Sequence, residues 1–383
     1  MRLFFIIALI LALSYLWLIS IYLRSWRALA SWRLKGEAHP EITIDVIIPA
    51  RDEASTIAGC LDSVFNNTYP DSLYTVWVVD DFSTDKTAAI VQQRQREYSN
   101  LQLIQMADYP QKEGAVAFKK QAIAKAISLS SAELIVTTDA DCQVPEDWLP
   151  GWATFFKQEQ VVMATAPVEL EAEDSVLGRF QALDTLGMML ITGAGIKGDW
   201  MRMGNGANLA YLRSAYAKVG GFRGIDHLAS GDDMLLLQKM ALAFPGQIGF
   251  VKSKNMVVAT GAPPDYPSFL SQRLRWASKS SQYSEWRVTL ALALVFFFCW
   301  VIILSLFAII IQPILGLILF LLLFLLKSGT DYYFLRRAAH FFGRKSLLKK
   351  YWLSQIHHIV YIALVGLLAN FRKTYVWKGR RVY

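Results

Sequence analysis

The chain has 383 residues, of which 54% are hydrophobic, and a formal net charge of +8 at pH 7. This apolar content argues against an ordinary soluble protein of that length. The distribution of this charge argues against a nucleic-acid binder, because residues 36–287 are acidic, with 22 Lys and Arg against 30 Asp and Glu. The remaining basic residues flank apolar stretches, where a membrane surface would attract them.

The first predicted element is a membrane anchor. Leu3–Leu23 is a run of 21 uncharged residues, close to the roughly 20 needed to cross a bilayer core. A cleaved signal peptide is the alternative, but its apolar core would be shorter and a small-residue cleavage site would follow. Trp26 and Trp32 among basic residues follow instead. We therefore predict a retained anchor over residues 1–37, with its C-terminal end in the cytoplasm.

Residues 38–287 alternate between β-rich and helical runs. The predicted strands are Ile42–Ile48, Thr75–Asp80, Leu101–Met106, Leu134–Thr138 and Val161–Val168. The predicted helices are Ala54–Phe65, Asp85–Glu97 and Ala115–Ser128. This alternation predicts an α/β domain with a mostly parallel sheet. Ligands of such sheets bind beyond the carboxyl ends of the strands.

Acidic residues follow two of these strands. Asp80 and Asp81 end one strand, and Asp139 and Asp141 follow another. Each pair is also compatible with a solvated turn. Because alternate residues of an extended segment face opposite sides, we expect Asp139 and Asp141 to have different roles, with one facing a divalent cation. Mg²⁺ or Mn²⁺ suits carboxylates combined with substrate phosphates.

A third acidic cluster opens a helical stretch. Asp232 and Asp233 follow Gly231 and precede the apolar run Met234–Leu237. Asp at this position commonly caps a helix. A carboxylate poised there is also able to accept a proton from an attacking hydroxyl group.

A basic and aromatic motif precedes the next apolar run. Gln272-Arg-Leu-Arg-Trp276 is typical of a helix end beside a bilayer. Its functional interpretation is that Arg holds a diphosphate bidentately while Trp offers a face to a sugar ring.

Val288–Leu326 contains 39 uncharged residues, about 58 Å as a helix. We expect two crossings joined by a tight turn within residues 288–326. Gln312-Pro313 lies too near the end to be the obvious turn, and we expect Pro313 to kink the second helix.

The segment 327–383 is predicted to begin in the cytoplasm, because residues 327–350 carry seven Lys and Arg. The stretch Tyr351–Phe371 lacks Lys, Arg, Asp and Glu. A full crossing would export a tail with five basic residues, so we favour a re-entrant or interfacial segment over a spanning one.

In this order the motifs resemble those of glycosyltransferase family 2, whose members carry a nucleotide-sugar-binding GT-A domain. The resemblance begins at Asp45-Val-Ile-Ile-Pro-Ala-Arg-Asp-Glu53 and ends at Gln272–Trp276. Between them it includes VVDDFSTDKT (78–87), TTDADC (137–142), NGANLAYLRSAYAKVGGF (205–222) and SGDDMLLL (230–237). Each motif is weak alone, and their shared order makes the resemblance specific.

The resemblance implies a role for each matching residue. Asp81 would bind the nucleobase with Asp80 beside it, Asp139 would serve the ribose, and Asp141 would hold the metal. Asp233 would be the catalytic base. Further donor-site residues would be Lys119 and Glu53, and the diphosphate and acceptor residues would be Asp232, Gln272, Arg273, Arg275 and Trp276. Arg51 replaces the commoner aromatic residue of the first loop, and Asp232 replaces the usual Glu.

The expected reaction is an inverting transfer from a UDP-sugar, with a divalent cation, to a membrane lipid. The tail Trp377–Tyr383 resembles the ending of ceramide glucosyltransferases. A processive polysaccharide synthase is the alternative, although few predicted crossings are available to build a product channel. A nucleotidyltransferase would need a Gly-rich basic loop where this chain has Pro-Ala-Arg-Asp-Glu. A non-catalytic membrane scaffold is disfavoured, because all the expected acidic residues are present.

The expected location is an integral membrane protein of a bacterial-type inner membrane, with its catalytic domain in the cytoplasm. Cys60, Cys142 and Cys299 lack paired or metal-ligand spacing, which fits a reducing compartment. The expected partners are the bilayer, a nucleotide sugar and a lipid acceptor, and we expect no nucleic acid.

Overall fold

A computed structural model describes residues 2–34, 42–110, 117–228, 231–277, 285–371, 375–377 and 380–382. The chain divides into two compact units. The sheet unit comprises residues 30–169, 202–261 and 376–383, and the helical unit comprises residues 1–29, 170–201 and 262–375. Each unit therefore draws on separate stretches of the chain.

The sheet unit is built on a seven-stranded sheet with the strand order β3-β2-β1-β4-β8-β6-β9. Its strands are β1 (Ile44–Ala50), β2 (Tyr74–Asp80), β3 (Leu101–Gln105), β4 (Leu134–Thr137), β6 (Met163–Thr165), β8 (Leu209–Leu212) and β9 (Ile248–Phe250). Strands β1 to β4 pair in parallel, as do β6 and β9, whereas β8 runs antiparallel to β4 and β6. The prediction of a mostly parallel sheet is confirmed.

The central strands are mostly apolar, as expected where helices cover both faces of a parallel sheet. Ile47, Val79 and Ile135 are fully buried in one cluster with side chains of the neighbouring helices. The helices of this unit are α2 (Ile57–Phe65), α3 (Thr87–Arg94), α4 (Phe118–Leu129), α5 (Trp148–Gln158), α7 (Arg213–Lys218) and α8 (Met234–Ala243). A smaller sheet has the order β5 (Cys142–Gln143), β10 (Val258–Gly261) and β7 (Val168–Glu171). Strand β11 (Tyr375–Trp377) pairs with β12 (Arg380–Val382).

Strand register brings several loops to one edge of the sheet. Asp80, the last residue of β2, lies opposite Ala50, the last residue of β1. Thr137, the last residue of β4, lies opposite Leu209, the first residue of the antiparallel β8. The segments that follow β1, β2 and β4 and the segment that precedes β8 therefore meet at the carboxyl edge, as expected for a ligand site.

The helical unit contains α1 (Arg2–Ala28), α6 (Val176–Lys197), α9 (Tyr266–Ala277), α10 (Trp286–Ile311), α11 (Pro313–Phe341) and α12 (Tyr351–Phe371). Four of these helices are long and apolar enough to cross a membrane, namely α1, α10, α11 and residues 351–369 of α12. The predicted apolar helices at both ends of the chain are confirmed as helices of that length and composition.

Several predicted elements differ from the structure. The predicted strand Val161–Val168 is two strands, β6 and β7, because the chain turns at Ala166-Pro167 and Pro has no N–H for a sheet. Strand β1 is displaced toward Ala50. The expected kink at Pro313 is wrong: α10 ends at Ile311 and α11 starts at Pro313, because Pro fits the first position of a helix.

Parts of the predicted segments lie outside the described residues. These parts are residues 35–41 at the end of the anchor, 115–116 of the predicted third helix, Ser230 of the third acidic motif, and 372–374, 378–379 and 383 of the tail.

Candidate functional site

The loop after β1 is tied to the loop after β2 at the carboxyl edge. Arg51 donates from Nη1 to the backbone oxygens of Asp81 and Phe82 at 2.6 and 2.9 Å. Asp81 N donates to Ala50 O at 2.8 Å. Asp52 Oδ1 accepts from Thr84 N at 2.7 Å. Arg51, which replaces an aromatic residue of the family pattern, thus fixes the backbone that carries the predicted nucleobase residue.

Asp80 and Asp81 are both buried, with 5% and 3% of their surfaces exposed. Asp80 Oδ2 accepts from Ser83 N at 3.3 Å, so this carboxylate shapes the turn after β2. Among the described residues, its second oxygen has no hydrogen-bond partner. A buried acceptor in this state favours a donor group supplied by a ligand.

Lys119, near the start of α4, joins two of the predicted acidic residues. Its Nζ lies 2.6 Å from Asp139 Oδ1 and 3.3 Å from Asp232 Oδ2. Burial alone would lower the pKa of Lys119, but the carboxylates of Asp139 and Asp232 outweigh it and raise that pKa above its ordinary value. Lys119 therefore forms ion pairs with both the motif after β4 and the motif before α8.

Asp233 caps α8 and contacts the loop before β8. Its Oδ1 accepts from Met234 N at 2.6 Å, and its Oδ2 accepts from Gly206 N at 3.1 Å. A Cβ at Gly206 would lie 3.4 Å from Asp232 Oδ2 and 3.6 Å from Lys119 Nζ. Gly206 thus lies in contact distance of the charged cluster, and two N–H groups hold Asp233 in one orientation.

Asp141 opens to solvent beside other acidic residues. Neighbouring protein atoms exclude part of the water around Asp141, and this desolvation raises its pKa. Repulsion from the carboxylates of Asp139 and Glu53 raises it further. A bound cation would relieve this repulsion. No three His, Cys, Asp or Glu side chains in the described part of the chain form a metal cage by themselves. One exposed carboxylate fits Mg²⁺ or Mn²⁺, because such ions complete their coordination with substrate phosphates and water.

Asn208 is a buried supporting residue that sequence reasoning missed. Its Oδ1 accepts from Trp148 Nε1 at 2.9 Å, and its Nδ2 donates to Pro167 O and Met256 O at 2.8 and 2.7 Å. These bonds tie the start of β8 to three distant segments. The only sequence signal is its position in the Asn-Gly-Ala-Asn motif, which does not reveal the partners.

Gln272, Arg273, Arg275 and Trp276 lie on α9 in the helical unit. Arg273 is 1% exposed, and its Nη2 lies 2.9 Å from Asp184 Oδ2 on α6. This contact is electrostatic, since its angles do not fit a hydrogen bond. The Arg273 guanidinium carbon also lies 4.4 Å from the centre of the Trp276 ring. The diphosphate and acceptor roles of the α9 residues stay predictions, and Asp184 was missed because nothing local marks it as a partner.

The mixed sheet with an acidic carboxyl edge is the GT-A fold of glycosyltransferases. A mannosyltransferase from Pyrobaculum calidifontis, solved with GDP-Man and Mn²⁺, is similar over 96% of this chain and 97% of its own, with a TM-score of 0.58 and 18% identity. The model "Glycosyl transferase family 2" matches residues 45–220, and "Glycosyl transferase family group 2" matches residues 134–335. The chain belongs to the family 2 glycosyltransferases, which confirms the predicted family, fold class and enzyme class.

Curated relatives match parts of this chain. The beta-monoglucosyldiacylglycerol synthase of Nostoc sp. is 31% identical over 118 residues, which are 31% of this chain and 24% of that protein. Glycosyltransferase AglE of Haloferax volcanii is 36% identical over 106 residues, or 28% of this chain and 33% of that protein. The probable glycosyltransferase YdaM of Bacillus subtilis is 24% identical over 276 residues, or 68% of this chain and 60% of that protein. The matches thus span less than two thirds of each relative.

Proposed function

We propose that the chain transfers one sugar from a UDP-sugar to a lipid in the membrane, with inversion at the anomeric carbon. The observation that carries this proposal is the convergence of Asp139, Asp232 and Asp233 around Lys119 and Gly206 at the carboxyl edge of the sheet. Four segments that are separate in sequence thus bring their polar groups together, and a donor and an attacking hydroxyl require such positioned groups.

Within the proposed reaction, Asp233 accepts the proton of the acceptor hydroxyl as that oxygen attacks the anomeric carbon. The bond to the diphosphate breaks, and its electron pair leaves with the nucleotide. Asp80 and Asp81 hold the nucleobase at the buried end of β2, and Asp141 would bind Mg²⁺ or Mn²⁺. Such an ion would supply positive charge to the departing diphosphate.

The lipid acceptor is supported by two observations. In the described part of the chain, four helices have the length and composition of membrane spans. The segmental relative from Nostoc sp. is named as a synthase of a glucosylated diacylglycerol. We propose that the sheet unit lies in the cytoplasm, where nucleotide sugars are made, and that the basic residues 336–350 face the same side.

The nucleotide and the metal need a direct test. The Pyrobaculum structure holds GDP-Man and Mn²⁺, so a GDP-sugar is the alternative donor. Purified full chain with membrane lipid extract is expected to release UDP from a UDP-sugar and to form a glycolipid detected by mass spectrometry. Mn²⁺ or Mg²⁺ is expected to be required. Release of GDP from GDP-mannose alone would overturn the UDP assignment, and a water-soluble polymer as the product would overturn the lipid acceptor.

The catalytic base is tested by Asp233→Asn, which keeps the shape of the side chain but removes most of its basicity. We expect turnover to fall by about 10² to 10⁴-fold, the usual contribution of a general base. Donor binding, measured by calorimetry, should be nearly unchanged. Asp226→Asn is the matched control, because Asp226 is an exposed carboxylate of the preceding loop. Normal turnover by the Asp233 variant would refute its role.

A further inference from the structure

The helical unit contains a cavity that is lined by none of the residues assigned to sugar transfer. It has a volume of about 380 Å³ and is lined by Gly329, Tyr332, Leu348, Lys350, Tyr351 and Trp352. The lining comes from α11, from the turn that follows it and from the start of α12. A Cβ at Gly329 would meet no atom within 4 Å, so this glycine faces open space.

One wall of the cavity is a continuous row of aromatic rings. The Tyr332 and Tyr351 ring centres are 5.2 Å apart, and those of Tyr351 and Trp352 are 5.6 Å apart. Tyr351 is fixed, because its hydroxyl donates to Ser328 O at 2.8 Å. Tyr332 and Trp352 are 41% and 53% exposed. Amphipathic rings in this arrangement suit the boundary between lipid head groups and acyl chains.

The charge around the cavity is positive. Residues 332–350 contain six Lys and Arg and no Asp or Glu. Lys350 also lines an adjoining cavity of about 90 Å³ together with Arg179 and Asp174. Asp174 pairs with Arg179. The other nearby acid, Asp331, bonds to Lys327 and Gln355. An anionic group is therefore the complement that this surface favours.

We propose that this cavity binds the phosphate of an anionic membrane phospholipid, with Lys350 as its principal cation and Tyr332 and Trp352 beside its glycerol region. Exposed apolar side chains, such as Leu325 and Leu353, continue from the cavity and suit the acyl chains. The proposed phospholipid is a bound ligand and not the lipid that receives the sugar. It rests on the proposed membrane position of the helices and not on the identity of the donor.

The test uses the full chain purified in a neutral detergent and titrated with phosphatidylglycerol or phosphatidylcholine, with bound lipid counted by native mass spectrometry. The wild type should retain phosphatidylglycerol more strongly than phosphatidylcholine. Lys350→Gln should weaken that retention about five-fold, the effect of one basic residue at an anionic surface. Lys345→Gln removes an equal charge from an exposed position outside the cavity and should have little effect.

Gly329→Leu provides a second variant that fills the cavity without changing charge, and it should also reduce phosphatidylglycerol retention. Thermal unfolding of each variant in detergent reports on folding, and UDP release reports on the proposed transferase activity. Equal losses in the Lys350 and Lys345 variants would overturn the site in favour of a diffuse surface effect. Equal retention of both lipids, or displacement of the lipid by an equal concentration of inorganic phosphate, would also overturn it.

Discussion

Lys119 supplies a positive charge to the acidic cluster formed by Asp139, Asp232 and Asp233. Its ammonium group lies within 3.3 Å of carboxylate oxygens from both Asp139 and Asp232. Without this cation, two carboxylates from different motifs would face each other in a partly buried space, where like charges repel. The side chain therefore joins the two motifs by an ion pair to a carboxylate of each.

Replacing Lys119 with Met should reduce sugar transfer at least ten-fold and destabilise the fold by about 1 to 3 kcal/mol, because two partly buried charged groups lose their partner. Steady-state kinetics and thermal unfolding provide the two measurements. Lys157→Met is the control, since Lys157 is exposed on α5 in the same unit. Equal effects of the two substitutions would show that Lys119 has no special electrostatic role.

Helices α10 and α11 pack closely where the chain reverses. A Cβ at Gly316 would lie 2.4 Å from Ile309 N and 2.6 Å from Ala308 O, both on α10. A side chain larger than hydrogen would clash with the α10 backbone at this contact. Pro313 begins α11 at a position where its missing N–H costs no hydrogen bond. Small and ring-closed residues together determine the tight turn.

Gly316→Ala should therefore lower stability by about 1 to 3 kcal/mol through overpacking. Gly329→Ala is a matched control in the same helix, because its Cβ would meet open space. That change should be neutral or stabilising by about 0.5 to 1 kcal/mol, since Ala favours a helix over Gly. Thermal unfolding of the full chain in detergent measures both. A smaller loss for Gly316→Ala than for Gly329→Ala would contradict this packing.

Three helices of the helical unit are connected by a buried polar network. Lys327 Nζ lies 2.6 Å from Asp331 Oδ2 on α11, and Gln355 Nε2 of α12 donates to the same oxygen at 2.8 Å. Tyr15 of α1 donates to Asp331 Oδ1. Lys327 is 0% exposed. Charges among apolar helices are costly unless paired, so this network holds α1, α11 and α12 in one arrangement.

A double-substitution cycle tests the network. Lys327→Met or Asp331→Asn alone should cost about 3 to 5 kcal/mol, because each leaves one buried charge without its partner. The double variant removes both charges, keeps a polar group for Tyr15 and Gln355, and should recover most of the loss. Arg336→Met, on an exposed face of α11, is the control. Additive losses in thermal unfolding would argue against a coupled ion pair.

Local patterns in the sequence predicted much of the architecture. Apolar runs predicted α1, α10 and α11, and strand–helix alternation predicted β1 to β4 with their intervening helices, because periodicity reports burial within one element. The acidic pairs at Asp80 and Asp139 were expected near a ligand because both follow parallel strands. The positions of these elements along the chain were thus available before any tertiary contact was known.

Only the tertiary structure decided which distant segments meet. Strand β8 enters the sheet antiparallel and brings Gly206 to Asp233, and Lys119 bridges Asp139 to Asp232. Helices α6 and α9 group with the apolar helices, where Asp184 pairs with Arg273. These pairings join residues between 20 and 113 positions apart. Packing among all elements selects them, whereas local periodicity records only which face of each element is buried.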